Sequence, residues 1–138
     1  MSQLGPVPRI LLVEDDAAIR EALDEVLGDL GYEVVSAPDG SGGLRLAAEQ
    51  TEPCPILLDW RMPVLDGPEF LVRLRELPRG REFPVILSTA DREATDAAVG
   101  DQVAAVLSKP FDLDSLVAAL RRASSRATSE SSRSSRRG

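Results

Sequence analysis

Four short apolar runs in this chain lead into groups that could do chemistry. Ile10-Leu11-Leu12-Val13 runs into Glu14-Asp15-Asp16, and Ile56-Leu57-Leu58 runs into Asp59. Pro84 to Ser88 runs into Thr89, and Val103 to Leu107 leads to Lys109. A carboxylate such as Asp59 can act as a nucleophile toward a phosphoryl group. Several carboxylates crowded together repel one another and partly protonate unless a cation sits among them. The chain contains no histidine, which removes imidazole catalysis and most transition-metal sites. Oxygen donors then select a hard cation, most simply Mg²⁺. Such an ion would offset the charge of an incoming phosphoryl group. The Thr89 hydroxyl could donate to a phosphoryl oxygen, and the Lys109 ammonium could add a second positive charge. Asp59 is therefore read as a phosphoryl acceptor.

Each of these groups also has a plainer reading. Glu14, Asp15 and Asp16 alone would be an acidic helix start, favoured by the helix dipole. Asp59 could merely end a strand, although three carboxylates at two adjacent strand ends weigh against that. Thr89 alone says little, since threonine is common in strands. Lys109 is the single lysine beside fifteen arginines, so a generic surface role would be out of character. A compact ammonium on a flexible stem suits a place beside a phosphoryl group better than a wide guanidinium.

The chemistry depends on bringing distant residues together. Five apolar runs alternate with helix-like segments. Ile10–Val13, Tyr32–Ala37, Ile56–Asp59, Pro84–Thr89 and Val103–Leu107 read as strands too apolar to be exposed on one side. Between the first two, Ile19, Leu23, Val26, Leu27 and Leu30 recur at helical spacing, with Asp16 as cap and Gly31 as stop. Ser41 is placed to cap a helix carrying Leu44, Ala47 and Ala48. Gly67-Pro68 opens another helix, with Phe70, Leu71 and Leu74 as its stripe and Pro78 closing it. Residues 91–100 are polar and Ala-rich, with Val99 as their one clear core residue, and make the weakest helix. Asp112 caps a last helix with Leu113, Leu116, Val117 and Leu120 on one face. This alternation predicts a doubly wound parallel sheet, whose carboxyl edge collects the strand-end groups.

Composition bounds the rest. The 138 residues suit one domain, and no apolar run reaches membrane-spanning length. The opening residues lack the pattern of a secretory signal. Cys54 is the one cysteine and cannot form an internal disulfide, which suggests a reducing cytoplasm and a small buried side chain. From Arg121 onward six arginines face one glutamate, leaving a net −12 on the first 120 residues. So acidic a surface is a poor one for gripping nucleic acid. Residues 1–7 read as an extension, 8–123 as the folded domain, and 124–138 as a Ser/Arg-rich tail expected to be disordered.

These residues together resemble the receiver domain of two-component response regulators. The match rests on Glu14-Asp15, Leu57-Leu58-Asp59, Met62-Pro63-Val64-Leu65-Asp66-Gly67, Thr89-Ala90 and Lys109-Pro110-Phe111, across about residues 8 to 123. The resemblance implies a flavodoxin-like α/β fold, a five-stranded parallel sheet of order 2-1-3-4-5 with helices on both faces. It implies a bacterial signalling switch in which Asp59 is phosphorylated by a sensor histidine kinase or a histidine phosphotransfer protein. Asp15 and Asp59 would bind Mg²⁺ through side chains, Arg61 through its backbone carbonyl, and Glu14 through water. Thr89 and Lys109 would act on the phosphoryl group, and the peptide bond before Pro110 would be cis. The expected output is docking on an unknown protein, as a monomer or a phosphorylation-dependent homodimer, or onward relay. No membrane contact and no direct DNA binding are expected.

Three departures from the family pattern stand out. Val106 occupies the position three before Lys109, where the family uses an aromatic. The stretch from Thr89 to Lys109 is slightly short. Arg61 and Asp91, two past Asp59 and Thr89, form an opposite-charge pair that could slow hydrolysis. Two other functions compete: a receiver-like scaffold that is never phosphorylated, and a Mg²⁺-dependent phosphatase or phosphotransferase. Enzymes of the haloacid-dehalogenase type, which the second would resemble, need an aspartate two residues after the nucleophile, where Arg61 stands. Autocatalysed gain and loss of its own phosphoryl group is thus the only enzymatic behaviour expected.

Overall fold

The computed structural model describes residues 7–62, 65–90 and 102–124. In chain order it forms β1 (Arg9–Val13), α1 (Ala17–Asp29), β2 (Glu33–Ala37), α2 (Gly40–Glu49) and β3 (Ile56–Asp59). After these come α3 (Gly67–Arg75), a 3-10 turn (Gly80–Glu82), β4 (Val85–Thr89) and β5 (Val103–Ser108). A last helix, α4, spans 113–124. All neighbouring strands are parallel, in the order β2-β1-β3-β4-β5. This is the flavodoxin-like order that the resemblance implied.

Strand alternation divides the core in two. Leu11, Val13, Ile56, Leu58, Val85 and Leu87 face α2 and α3, where Ala47, Phe70, Leu71 and Leu74 meet them. Ile10, Leu12, Leu57, Ile86, Ala105 and Leu107 face the other way, onto Leu27 of α1 and Leu116, Ala119, Leu120 and Ala123 of α4. The central strands are buried on both faces, as a parallel sheet wrapped by helices requires.

Local chemistry sets the boundaries. Asp16 caps α1 by accepting the Ile19 amide at 3.0 Å, and Gly31 ends it at φ +99°, which glycine adopts without steric cost. The cap of α2 is Asp39 rather than Ser41. Its Oδ1 accepts the Gly42 amide at 2.8 Å, so the helix starts at Gly40. Asp66 and Asp112 cap α3 and α4 in the same way, on the amides of Glu69 and Ser115.

The helical stripes are narrower than expected. In α1 only Leu27 is fully buried, while Ile19 and Leu30 are exposed at its two ends. In α4 Leu113 is exposed, and the small Ala119 and Ala123 complete the buried face. Four helices lie among the described residues, and the expected helix at 91–100 with Val99 falls outside them, as does the tail beyond residue 124. Among the described residues no helix is long and apolar enough to cross a membrane. Cys54 is buried, which raises its thiol to about 11.

Candidate functional site

The carboxyl edge of the sheet gathers most of the expected residues. Glu14 follows β1, Asp59 ends β3, Thr89 ends β4 and Lys109 follows β5. Lys109 donates from Nζ to Oδ1 of Asp59 at 3.1 Å and lies 3.6 Å from Oε1 of Glu14. Glu14, Asp15 and Asp59 each offer a carboxylate oxygen, and these lie within 4.8 Å of one another. Glu14 and Asp59 are buried, whereas Asp15 is exposed.

Backbone contacts hold this edge in place. The Asp16 amide donates to Oε2 of Glu14 at 3.2 Å, and Arg20 donates to the Glu14 carbonyl at 2.9 Å. The Lys109 amide donates to the Thr89 carbonyl at 2.8 Å, tying the lysine to the end of β4. The Lys109–Pro110 bond is cis, as the resemblance implied. Past Asp59, the Trp60 amide donates to the Ser88 carbonyl, and the Gly67 amide donates to the Trp60 carbonyl, both at 2.9 Å. The Trp60 ring lies so close over Gly67 that a Cβ there would come within 2.2 Å of it. Glycine at 67 therefore serves contact with the indole as well as the start of α3.

Burial disfavours charge here, and neighbours decide the balance. Desolvation pushes Glu14 up to about 7; the Asp16 amide opposes it and the charge of Asp59 reinforces it. Asp59 is also raised, first by burial and then by its contact with the Asp15 carboxyl, against the lowering effect of Lys109. For Lys109 burial works against the charge, but the bond to Asp59 and the charges of Asp59 and Glu14 outweigh it, so the ammonium is favoured. Three acidic groups and one ammonium leave an excess of negative charge in a poorly solvated place. The oxygen-only donor set and its close spacing suit a hard divalent cation.

Thr89 is buried at the end of β4, paired with Ser108 of β5. Arg61 is exposed, and its expected partner Asp91 lies outside the described residues. Val106, on β5, is 38% exposed. Two buried polar residues escaped the sequence reading. Gln102 donates to the carbonyls of Gly80 at 2.6 Å and Phe83 at 3.0 Å and accepts from Arg75 at 3.1 Å. It joins the end of α3 to the start of β5, and a lone glutamine before a strand gives no sequence signal of that. Ser88 pairs directly with Asp59 across β3 and β4, and strand register alone could have pointed to it.

Comparison with known proteins accords with this geometry. A family model described as the response regulator receiver domain matches residues 10–121. The transcriptional regulatory protein PrrA of Mycobacterium tuberculosis is 40% identical over 130 residues, covering 90% of this chain and 54% of PrrA. The DNA-binding dual master transcriptional regulator RpaA of Synechocystis is 38% identical over 117 residues, covering 83% of this chain and 48% of RpaA. Among solved structures, the chemotaxis protein CheY4 of Vibrio cholerae superposes with a TM-score of 0.73 at 31% identity, over 86% of this chain and 99% of CheY4. The receiver domain of sensor histidine kinase PA1611 from Pseudomonas aeruginosa has a TM-score of 0.75 at 34% identity, over 86% of this chain and 98% of that domain. That structure holds a magnesium ion in its active site cleft.

The chain spans about half the length of the curated relatives it matches. These relatives overturn the expectation of a protein working without DNA. That expectation took the acidic balance of one domain as a property of the whole, whereas regulators of this kind include a further half that this chain does not span.

Proposed function

We propose that this chain, which belongs to the response regulator receiver family, works as a phosphorylation switch with Asp59 as its acceptor. The observation that carries this reading is the 3.1 Å contact between Lys109 and Asp59 beside the carboxylates of Glu14 and Asp15. A carboxylate oxygen of Asp59 attacks phosphorus and forms an acyl phosphate. The bond from phosphorus to the donor breaks, and the donor leaves with its electron pair. A phosphohistidine on a partner kinase or phosphotransfer protein is the donor in this reading.

The chain's own residues prepare that transfer. Asp59 has to attack as the carboxylate, and the Lys109 ammonium favours that form. The same ammonium lies where it can meet negative charge arriving on phosphoryl oxygens. Thr89, at the end of the neighbouring strand, is the hydroxyl assigned to the phosphorylated state. Side-chain oxygens of Asp15 and Asp59, with the Arg61 carbonyl, would hold Mg²⁺, and Glu14 would help through water. When bound, it supplies the positive charge that lets the carboxylates stay ionised together. Added charge at this edge is then read by another part of the protein or by a partner. The names of the relatives make transcription the output to examine first.

Incubation with acetyl phosphate and Mg²⁺ tests the reading by intact mass. Wild type gains one phosphoryl group, and Asp59→Asn gains none. Wild type that gains none with Mg²⁺ bound would leave the scaffold reading in its place.

A further inference from the structure

Ser88 is a buried hydroxyl, 2% exposed, whose Oγ has no hydrogen-bond partner among the described residues. Nothing in packing demands oxygen there, because alanine would fill the place without an unpaired polar group. Register shows what surrounds it. Ser88 pairs with Asp59 on one side and with Leu107 on the other. Leu57, Ile86 and Leu107 all face α1 and α4, and alternation returns Asp59 and Ser88 to that same face. Of the side chains beside it in this row, Ile86 and Leu107 have no polar atom. Asp59 does.

We propose that Ser88 is a positioning residue for Asp59. This rests on the reading of Asp59 as phosphoryl acceptor. By rotating about χ1, the Ser88 hydroxyl donates a hydrogen bond to one carboxyl oxygen of Asp59 while the other attacks phosphorus. In the acyl phosphate the same hydroxyl holds the oxygen that has become the carbonyl. No covalent bond to Ser88 forms, and its proton stays on Oγ. The hydrogen bond helps fix the rotamer of the attacking group, an alignment that strongly affects the rate of a bound reaction.

The test compares wild type, Ser88→Ala and Ser88→Thr with acetyl phosphate and Mg²⁺, following the initial rate of phosphoprotein formation by intact mass. Mg²⁺ affinity is read from Trp60, the one tryptophan and the neighbour of Asp59. Loss of one hydrogen bond to a charged group predicts a rate about tenfold lower in Ser88→Ala. Mg²⁺ affinity should stay within about twofold of wild type, and the melting temperature should be equal or higher, since the variant loses only an unpaired group. Ser88→Thr, which keeps the hydroxyl, should recover most of the rate. A wild-type rate in Ser88→Ala overturns the proposal, and so does a Ser88→Thr variant as slow as Ser88→Ala. Wild type that accepts no phosphoryl group overturns the acceptor reading itself, an outcome visible before any Ser88 variant is compared.

Discussion

Lys109 Nζ lies 3.1 Å from Asp59 Oδ1 although fifty positions separate the two residues. The sheet order makes this possible, since β4 alone stands between the strands that carry them. The ammonium is the one cationic group holding Asp59 among the described contacts, and 3.6 Å away it also faces Glu14. Burial raises Asp59, and the pair with Lys109 works against that shift.

Asp59→Asn should make the metal-free protein more stable. It removes a buried carboxylate that burial and the Asp15 contact already disfavour in its charged form. A gain of about 1–2 kcal/mol at pH 7.5 is expected, the ordinary exchange of function for stability at such sites. Urea unfolding in EDTA measures it. A variant less stable than wild type would mean that the Lys109 pair outweighs the desolvation of Asp59.

Stability without metal should fall as pH rises from about 4.5 to about 7. Below that window Glu14 is protonated in both states. Within it the folded protein keeps a proton that the unfolded chain, with its ordinary value of 4.5, has released. A state that binds more protons is disfavoured as pH rises. Glu14→Gln should flatten the curve in this window. Mg²⁺ binding calls for the deprotonated carboxylates, so affinity should rise through the same range and binding should release protons. Calorimetry in two buffers of different ionisation enthalpy checks the release.

Gly67→Ala should destabilise the fold by about 2–3 kcal/mol. The new Cβ would meet the Trp60 ring at 2.2 Å, and that ring is itself buried. The displaced ring adjoins Asp59, so the same variant should shift tryptophan emission. Chemical unfolding followed by fluorescence measures both. Unchanged emission and stability would show that the ring moves aside freely.

Gln102→Leu should cost about 2 kcal/mol or more, because it leaves the Phe83 carbonyl buried without its donor and frees Arg75. The expected readout is a lower urea midpoint with an unchanged slope. A wild-type midpoint would mean that water replaces the amide.

The sequence made the fold legible because parallel strands buried on both faces leave unbroken apolar runs, as in Ile10–Val13 and Ile56–Leu58. The carboxyl-edge cluster was legible for a related reason: the type of the residue ending each run announces it, and sheet order brings Asp59 and Lys109 together. What stayed hidden depends on side-chain direction. Nothing local shows that Asp39 rather than Ser41 reaches the Gly42 amide, since both residue types cap helices. Nor does periodicity reveal that Ile19 and Leu30 stay exposed while Leu27 is fully buried. Gln102 was invisible because its partners are backbone carbonyls, that of Gly80 in the 3-10 turn and that of Phe83 just after it. The DNA expectation failed for another reason, since charge on one domain says nothing about a neighbouring one.

The most direct test of the central claim is to locate the phosphoryl group. Protein treated with acetyl phosphate and Mg²⁺ is reduced with borohydride, which converts an aspartyl phosphate to homoserine, and its peptides are sequenced by mass spectrometry. Homoserine at position 59, absent when acetyl phosphate is omitted, is the predicted result. Homoserine at Asp15 or another carboxylate, with Asp59 intact, would contradict the account.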